Sequence, residues 1–111
     1  MSRVALMTRT LAAKAEGVLR AAGAVPGVEG YPGVPGFRID APEPVPLEGR
    51  APPTLARVQV RYCGPADADW TAPVAGYHAA LVAAGLPATL VPAHLTVERR
   101  PYVTLLRRVR P

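Results

Sequence analysis

Leu55-Ala56-Arg57-Val58-Gln59-Val60-Arg61-Tyr62-Cys63 alternates in kind: Val58, Val60 and Tyr62 are interleaved with Arg57, Gln59 and Arg61. Successive side chains of an extended chain point to opposite sides, so this stretch predicts a strand with one buried and one wet face. A wet face is a property of antiparallel sheets covered on one side. The rest of the chain should therefore supply partner strands and an apolar layer for the dry side.

The partner strands lie on both flanks. Upstream, Gly36-Phe37-Arg38-Ile39-Asp40 alternates in the same way and predicts a short strand with Phe37 and Ile39 facing the core. Downstream, Ala88 to Val91, Leu95 to Arg99 and Tyr102 to Arg108 read as extended, the last two joined into a hairpin by a turn near Arg100-Pro101. Leu105-Leu106 offers bulk to both faces, as a central or covered strand would.

Two helical segments can form the covering layer. From Ser2 to Ala22, Val4, Met7, Leu11, Ala15, Val18, Leu19 and Ala22 recur at steps of three and four, with Ser2 as cap and Gly23 as a left-handed stop. Glu16 and Arg20 have the favourable acid-first spacing. The second segment, roughly Trp70 to Ala84, places Val74, Tyr77, His78 and Leu81 on one stripe. Asp69 or Thr71 caps it, Pro73 fits its first turn, and Gly85 and Pro87 close it. Gly76, unfavourable in a helix by about 1 kcal/mol relative to alanine, reads as a point of close approach to the sheet. Both segments end in Ala-Ala-Gly, a phrasing compatible with an α-β-β duplication yet short enough to coincide by chance.

Residues 24–53 differ in character. Prolines remove amide donors, glycines loosen the backbone, and Val-Pro-Gly occurs at 25–27 and again at 34–36, which suggests turns. Ala41 to Pro53 reads as an exposed, stiff connector. The chain is thus expected to form one α+β domain over residues 1–111: two helices on one face of a small, mainly antiparallel sheet, in the order α-β-β-α-β-β, with a Pro/Gly-rich loop. The helices should bring Val4, Met7, Leu11, Val18, Leu19, Val74, Tyr77 and Leu81 to the core. The strands should add Ile39, Val58, Val60, Leu90, Val97, Val103 and Leu105, with Trp70 beside them. Tyr31, Tyr62, Tyr77, Tyr102, Trp70 and Phe37 read as packing anchors.

Composition narrows function more by exclusion than by assignment. Every apolar stretch is interrupted by arginine, glycine or proline, so no bilayer span is expected, and Met1 to Leu11 lacks the apolar block of an export signal. The cytoplasm is the expected compartment, and the single cysteine, Cys63, fits a reducing one. The net charge of +5 points toward anions. However, an excess of Ala, Gly, Pro and Arg with a single Lys, Ile and Phe also follows from GC-rich codons.

No group of residues is diagnostic of catalysis. Cys63, His78 and Asp67 or Asp69 are the residue types of a thiol nucleophile, base and orienting acid, but a buried cysteine and a helix cap explain them as well. His78 and His94 form no metal-ligand pattern, and no cofactor is implied. The strongest feature is the charge of the last third, where Arg99, Arg100, Arg107, Arg108 and Arg110 face one acid, Glu98. With Arg57, Arg61 and Tyr102 on a neighbouring strand, this would make a basic sheet face able to neutralise phosphates and stack bases.

The expected function is a small non-enzymatic protein-interaction or structural module, acting through its sheet face or a strand edge, alone or as a homo-oligomer. Its first expected partner is a protein or another copy of itself. Nucleic-acid binding through Arg57, Arg61, Arg99, Arg100, Tyr102, Arg107 and Arg108 is the alternative. An enzyme using Cys63 or His78 ranks third.

Overall fold

The computed structural model describes residues 3–28, 31, 33–42, 49 and 54–109. Along these the chain forms helix α1 (Arg3–Ala21), strands β1 (Gly36–Asp40) and β2 (Leu55–Cys63), helix α2 (Thr71–Ala83), and strands β3 (Ala88–Val91) and β4 (Tyr102–Arg108). This is the α+β arrangement expected, with all strand pairs antiparallel in the spatial order β1-β2-β4-β3. β4, last in sequence, lies between β2 and β3, so β2, α2 and β3 form a split β-α-β unit.

Both helices cover one face. α1 packs on β1 and β2, and α2 on β2, β3 and β4. Ala56, Val58 and Val60 of β2 and Val103 and Leu105 of β4 lie beneath them, paired as Val58 with Leu105 and Val60 with Val103. Leu11, Ala15 and Leu19 descend from α1 and Val74, Tyr77 and Leu81 from α2, each buried. Burying one such large aliphatic side chain is worth about 1.5–3 kcal/mol, so this double row dominates the stability of the fold. Phe37 completes it edge-on to Tyr77, ring centres 6.1 Å apart. The buried Thr8 hydroxyl is satisfied within its own helix, donating to the Val4 carbonyl at 2.7 Å.

The two helices stop by one device. Gly23 and Gly85 adopt φ of 88° and 79°. In each case the glycine amide bonds three residues back, to Arg20 or Val82, and the next amide five residues back, to Leu19 or Leu81. This is a Schellman closure, and its buried leucine anchors each helix end. The shared ending therefore extends to whole halves: each is a helix, an outer strand and an inner strand, with β2 and β4 meeting at the centre.

The paired Val-Pro-Gly triplets meet in space. Val25 to Gly27 runs along β1, with the Phe37 amide donating to the Val25 carbonyl and the Gly27 amide to the Phe37 carbonyl. A Cβ at Gly36 would overlap the Pro26-Gly27 backbone, which fixes glycine there.

Several expectations are corrected. Leu95 to Arg99 is not a strand: Ala93–Leu95 is a single 3-10 turn, and the hairpin partner of β4 is β3. The cause is Thr96, whose hydroxyl donates to the Ala93 and Arg100 carbonyls and accepts from the Arg100 amide, all at about 3 Å, drawing the segment into a closed loop. Arg99, at φ 55°, completes the turn. Val97 consequently points into solvent, and Leu90 stays partly exposed because β3 is the outer strand. Met7, Val18, Ile39 and Trp70 are half-buried, and Tyr31 is exposed. Gly76 meets no neighbour, its outward side being open space. Ser2 and most of 41–53 lie outside the described residues.

Candidate binding surface

The face of the sheet opposite the helices carries alternate residues of every strand. Register places Arg38, Arg61 and Tyr102 in one row, and Asp40, Gln59, Thr104 and Thr89 in the next. Beyond these come Arg57 beside Leu106, then Leu55 beside Arg108. Arg57, Arg61, Tyr102 and Arg108 are thus brought together as the sequence suggested, and Arg38 joins them. The signal for Arg38 was present in the alternation of β1, although the charge-rich last third drew attention away from it.

Three of the expected residues sit elsewhere. Arg107 pairs with Ala56 and therefore projects to the helix side. Consecutive residues of a strand cannot share a face, so Arg107 and Arg108 never add on one surface. Arg99 and Arg100 belong to the loop before β4 rather than to the sheet. Arg100 instead lies over the Trp70 ring at 4.1 Å, and Trp70 meets Tyr62 edge-on at 5.1 Å. The Trp70 indole N–H donates to the Pro65 carbonyl at 3.0 Å, and a Cβ at Gly64 would overlap the Tyr62 ring, so this stack is held from both sides.

Arg61 is the most constrained of the cations. Its Nη2 donates to Gln59 Oε1 at 2.8 Å, its Nε lies 3.4 Å from Asp40 Oδ2, and its Nη1 lies 3.8 Å from Glu98 Oε2. Its guanidinium carbon stands 4.7 Å from the centre of the Tyr102 ring. Arg38 shares Asp40, with Nε 3.2 Å from Oδ1. Arg57 and Arg108, by contrast, are exposed and form no ion pair among the described residues. A hollow of about 470 Å³ opens beside Arg61 and is bounded also by Arg38, Asp40, Trp70, Glu98 and Arg100. A second, of about 750 Å³, lies between α1 and β1, lined by Ala12, Ala13, Glu16, Phe37 and Ile39.

The candidate catalytic residues do not converge. Cys63 is a half-buried free thiol on the wall of both hollows, whereas His78 lines neither. The cap position of α2 is Trp70, which supplies no side-chain bond; Asp69 stands just before it, its Oδ1 accepting the Thr71 amide at 2.9 Å, and Asp67 is exposed. Burial above all, with Tyr62 and Cys63 nearby, pushes the Tyr77 hydroxyl up to about 12. That tyrosine is a packing residue, held neutral at physiological pH. Among the described residues no three His, Cys, Asp or Glu side chains are grouped to hold a metal ion, and no helix is long and apolar enough to cross a membrane. Compared with protein-family models, curated proteins and solved structures, the chain matches none of them.

Proposed function

We propose that this protein is a non-enzymatic interaction module that holds an anionic partner on the uncovered face of its sheet. The observation that carries this reading is the exposure of Arg57 and Arg108 on one face, beyond Arg38 and Arg61, whose charges Asp40 and Glu98 offset. Such a surface concentrates anions and releases their counterions on contact. Retention on immobilised heparin tests it. The protein should bind at about 50 mM salt and elute as salt rises toward 200 mM, and Arg57→Ala with Arg108→Ala should elute earlier. Arg3→Ala with Lys14→Ala, on the outer side of α1, should elute as wild type. Flow-through at low salt, or an equal shift from both pairs, overturns the reading.

A second reading, self-association, is favoured by α2. Its sequence from Thr71 to Ala83 contains no charged residue, and Ala72, Ala75, Gly76, Ala79, Val82 and Ala83 are exposed. Light scattering over a range of concentrations tests this, and a monomer throughout rejects it.

A further inference from the structure

We propose that the Arg61–Tyr102 stack is a platform for an unpaired nucleobase, and hence that the anionic partner is a single-stranded nucleic acid. This inference rests on the sheet-face reading above and adds the ligand class. Its basis is what the neighbours of Arg61 leave available. Each guanidinium nitrogen has a polar neighbour: Nη2 donates to Gln59 Oε1 at 2.8 Å, while Nε and Nη1 lie 3.4 Å and 3.8 Å from the carboxylates of Asp40 and Glu98. The guanidinium carbon stands over the Tyr102 ring, 4.7 Å from its centre. With two carboxylates beside it, the Arg61 charge is already offset, which makes this arginine a poor phosphate clamp. Arg61 also forms part of the wall of the 470 Å³ hollow. Flat guanidinium and aromatic surfaces are where unstacked bases settle.

The charges around the hollow agree. Asp40 and Glu98 stand in the same wall and repel a phosphate placed there. They are good acceptors for the exocyclic amino group of cytosine or adenine. A second guanidinium positioned over an aromatic ring, Arg100 over Trp70, borders the same space. The cations without an ion pair among the described residues lie at the other end: Arg57 is four residues from Arg61 along β2, about 13 Å, with Arg108 one row beyond. The face therefore separates a ring-binding end from a phosphate-binding end. An extended single strand presents both groups at such separations. A duplex hides the flat sides of its bases, and an acidic peptide has carboxylates that would meet Asp40 and Glu98 unfavourably.

The test compares three probes on the intact chain: a labelled ten-nucleotide RNA or DNA single strand, the blunt duplex of the same sequence, and poly-L-glutamate. Anisotropy should give the single strand the tightest binding. Arg61→Lys, which keeps the charge and loses the plane, should weaken single-strand binding about tenfold and leave poly-L-glutamate binding unchanged. Trp70 emission, on the wall of the hollow, should be quenched by the single strand and not by poly-L-glutamate. This readout on the unsubstituted protein keeps the test decisive if Arg61→Lys does not fold. Equal binding of all three probes, tighter binding of poly-L-glutamate, or unchanged Trp70 emission at saturating single strand overturns the inference while leaving the anionic-partner reading in place. If no probe binds at low salt, both fall.

Discussion

α1 sets Arg3, Arg9, Lys14, Glu16 and Arg20 outside and Leu11, Ala15 and Leu19 inside, whereas α2 has no charge to set anywhere. α2 is oriented mainly by bulk instead: Val74, Tyr77 and Leu81 point to the sheet, while Ala72, Ala75, Gly76, Ala79 and Ala83 point away, with Val82 as the one bulky residue among them. Large apolar side chains gain far more from burial than alanine does, since the gain scales with the area removed from water. One helix is thus positioned by polarity and the other by size, and a periodicity of hydrophobicity alone describes only the first.

The difference can be broken experimentally, beginning with the residues both helices share. Leu19→Ala and Leu81→Ala remove the same anchor from the same closure, and each should cost about 2–5 kcal/mol in denaturant unfolding. If α2 is placed by bulk, Leu81→Ala should cost the more, because fewer polar contacts remain to orient the helix. Tyr77 sharpens the contrast through pH. Its hydroxyl titrates near 10 when unfolded and at about 12 when folded, so the folded form holds the proton more tightly. That contribution is complete below pH 10 and is lost as pH rises through 12, a fall on the order of 2 kcal/mol. Tyr77→Phe should remove this slope from stability measured between pH 10 and 12.

Gly23→Ala and Gly85→Ala force a side chain into the left-handed region and should each cost about 1–2 kcal/mol. Near-equal losses would support the equivalence of the two halves. Gly17 and Gly76 sit mid-helix with open space where a Cβ would go. Alanine at either should stabilise by about 0.5–1 kcal/mol in thermal melts. A loss at Gly76 alone would reveal a neighbour covering α2. The smallest effect belongs to Ala79→Lys, expected to leave stability within about 0.5 kcal/mol. In concentration-dependent light scattering, the same change should abolish any self-association through this face.

Strands β1 and β2 were legible in the sequence because period-two alternation is written in each residue's own chemistry, whereas β3 and β4 read as extended without a register, Leu105-Leu106 offering bulk to both faces. So were the helix stops, since glycine after the last buried leucine has a local conformational cause. Leu95 to Arg99 was misread because its fate depends on one hydroxyl reaching Ala93 and Arg100 together, a three-point arrangement that side-chain character does not announce. Leu90 and Val97 were assigned to the core by hydrophobicity, while exposure is decided by how far the helices extend over the sheet. The candidate face was half legible. Arg57 and Arg61 followed from alternation and Arg108 from the charge of the last third, but the opposite directions of Arg107 and Arg108 needed the register. The engagement of Arg100 with Trp70 spans loops that no periodicity connects.

The interleaved strand order also dictates when this fold can exist. During synthesis β2 and β3 leave the ribosome with an unfilled gap between them, and Val58 and Val60 lack the neighbours Leu105 and Val103. Only arrival of Tyr102 to Arg108 closes the gap and joins the two halves. Such distant pairings make assembly slow and nearly all-or-none. A nascent chain stopped before Tyr102 therefore lacks the middle of its sheet and should be a substrate for chaperones and proteases instead of a smaller working version of the protein.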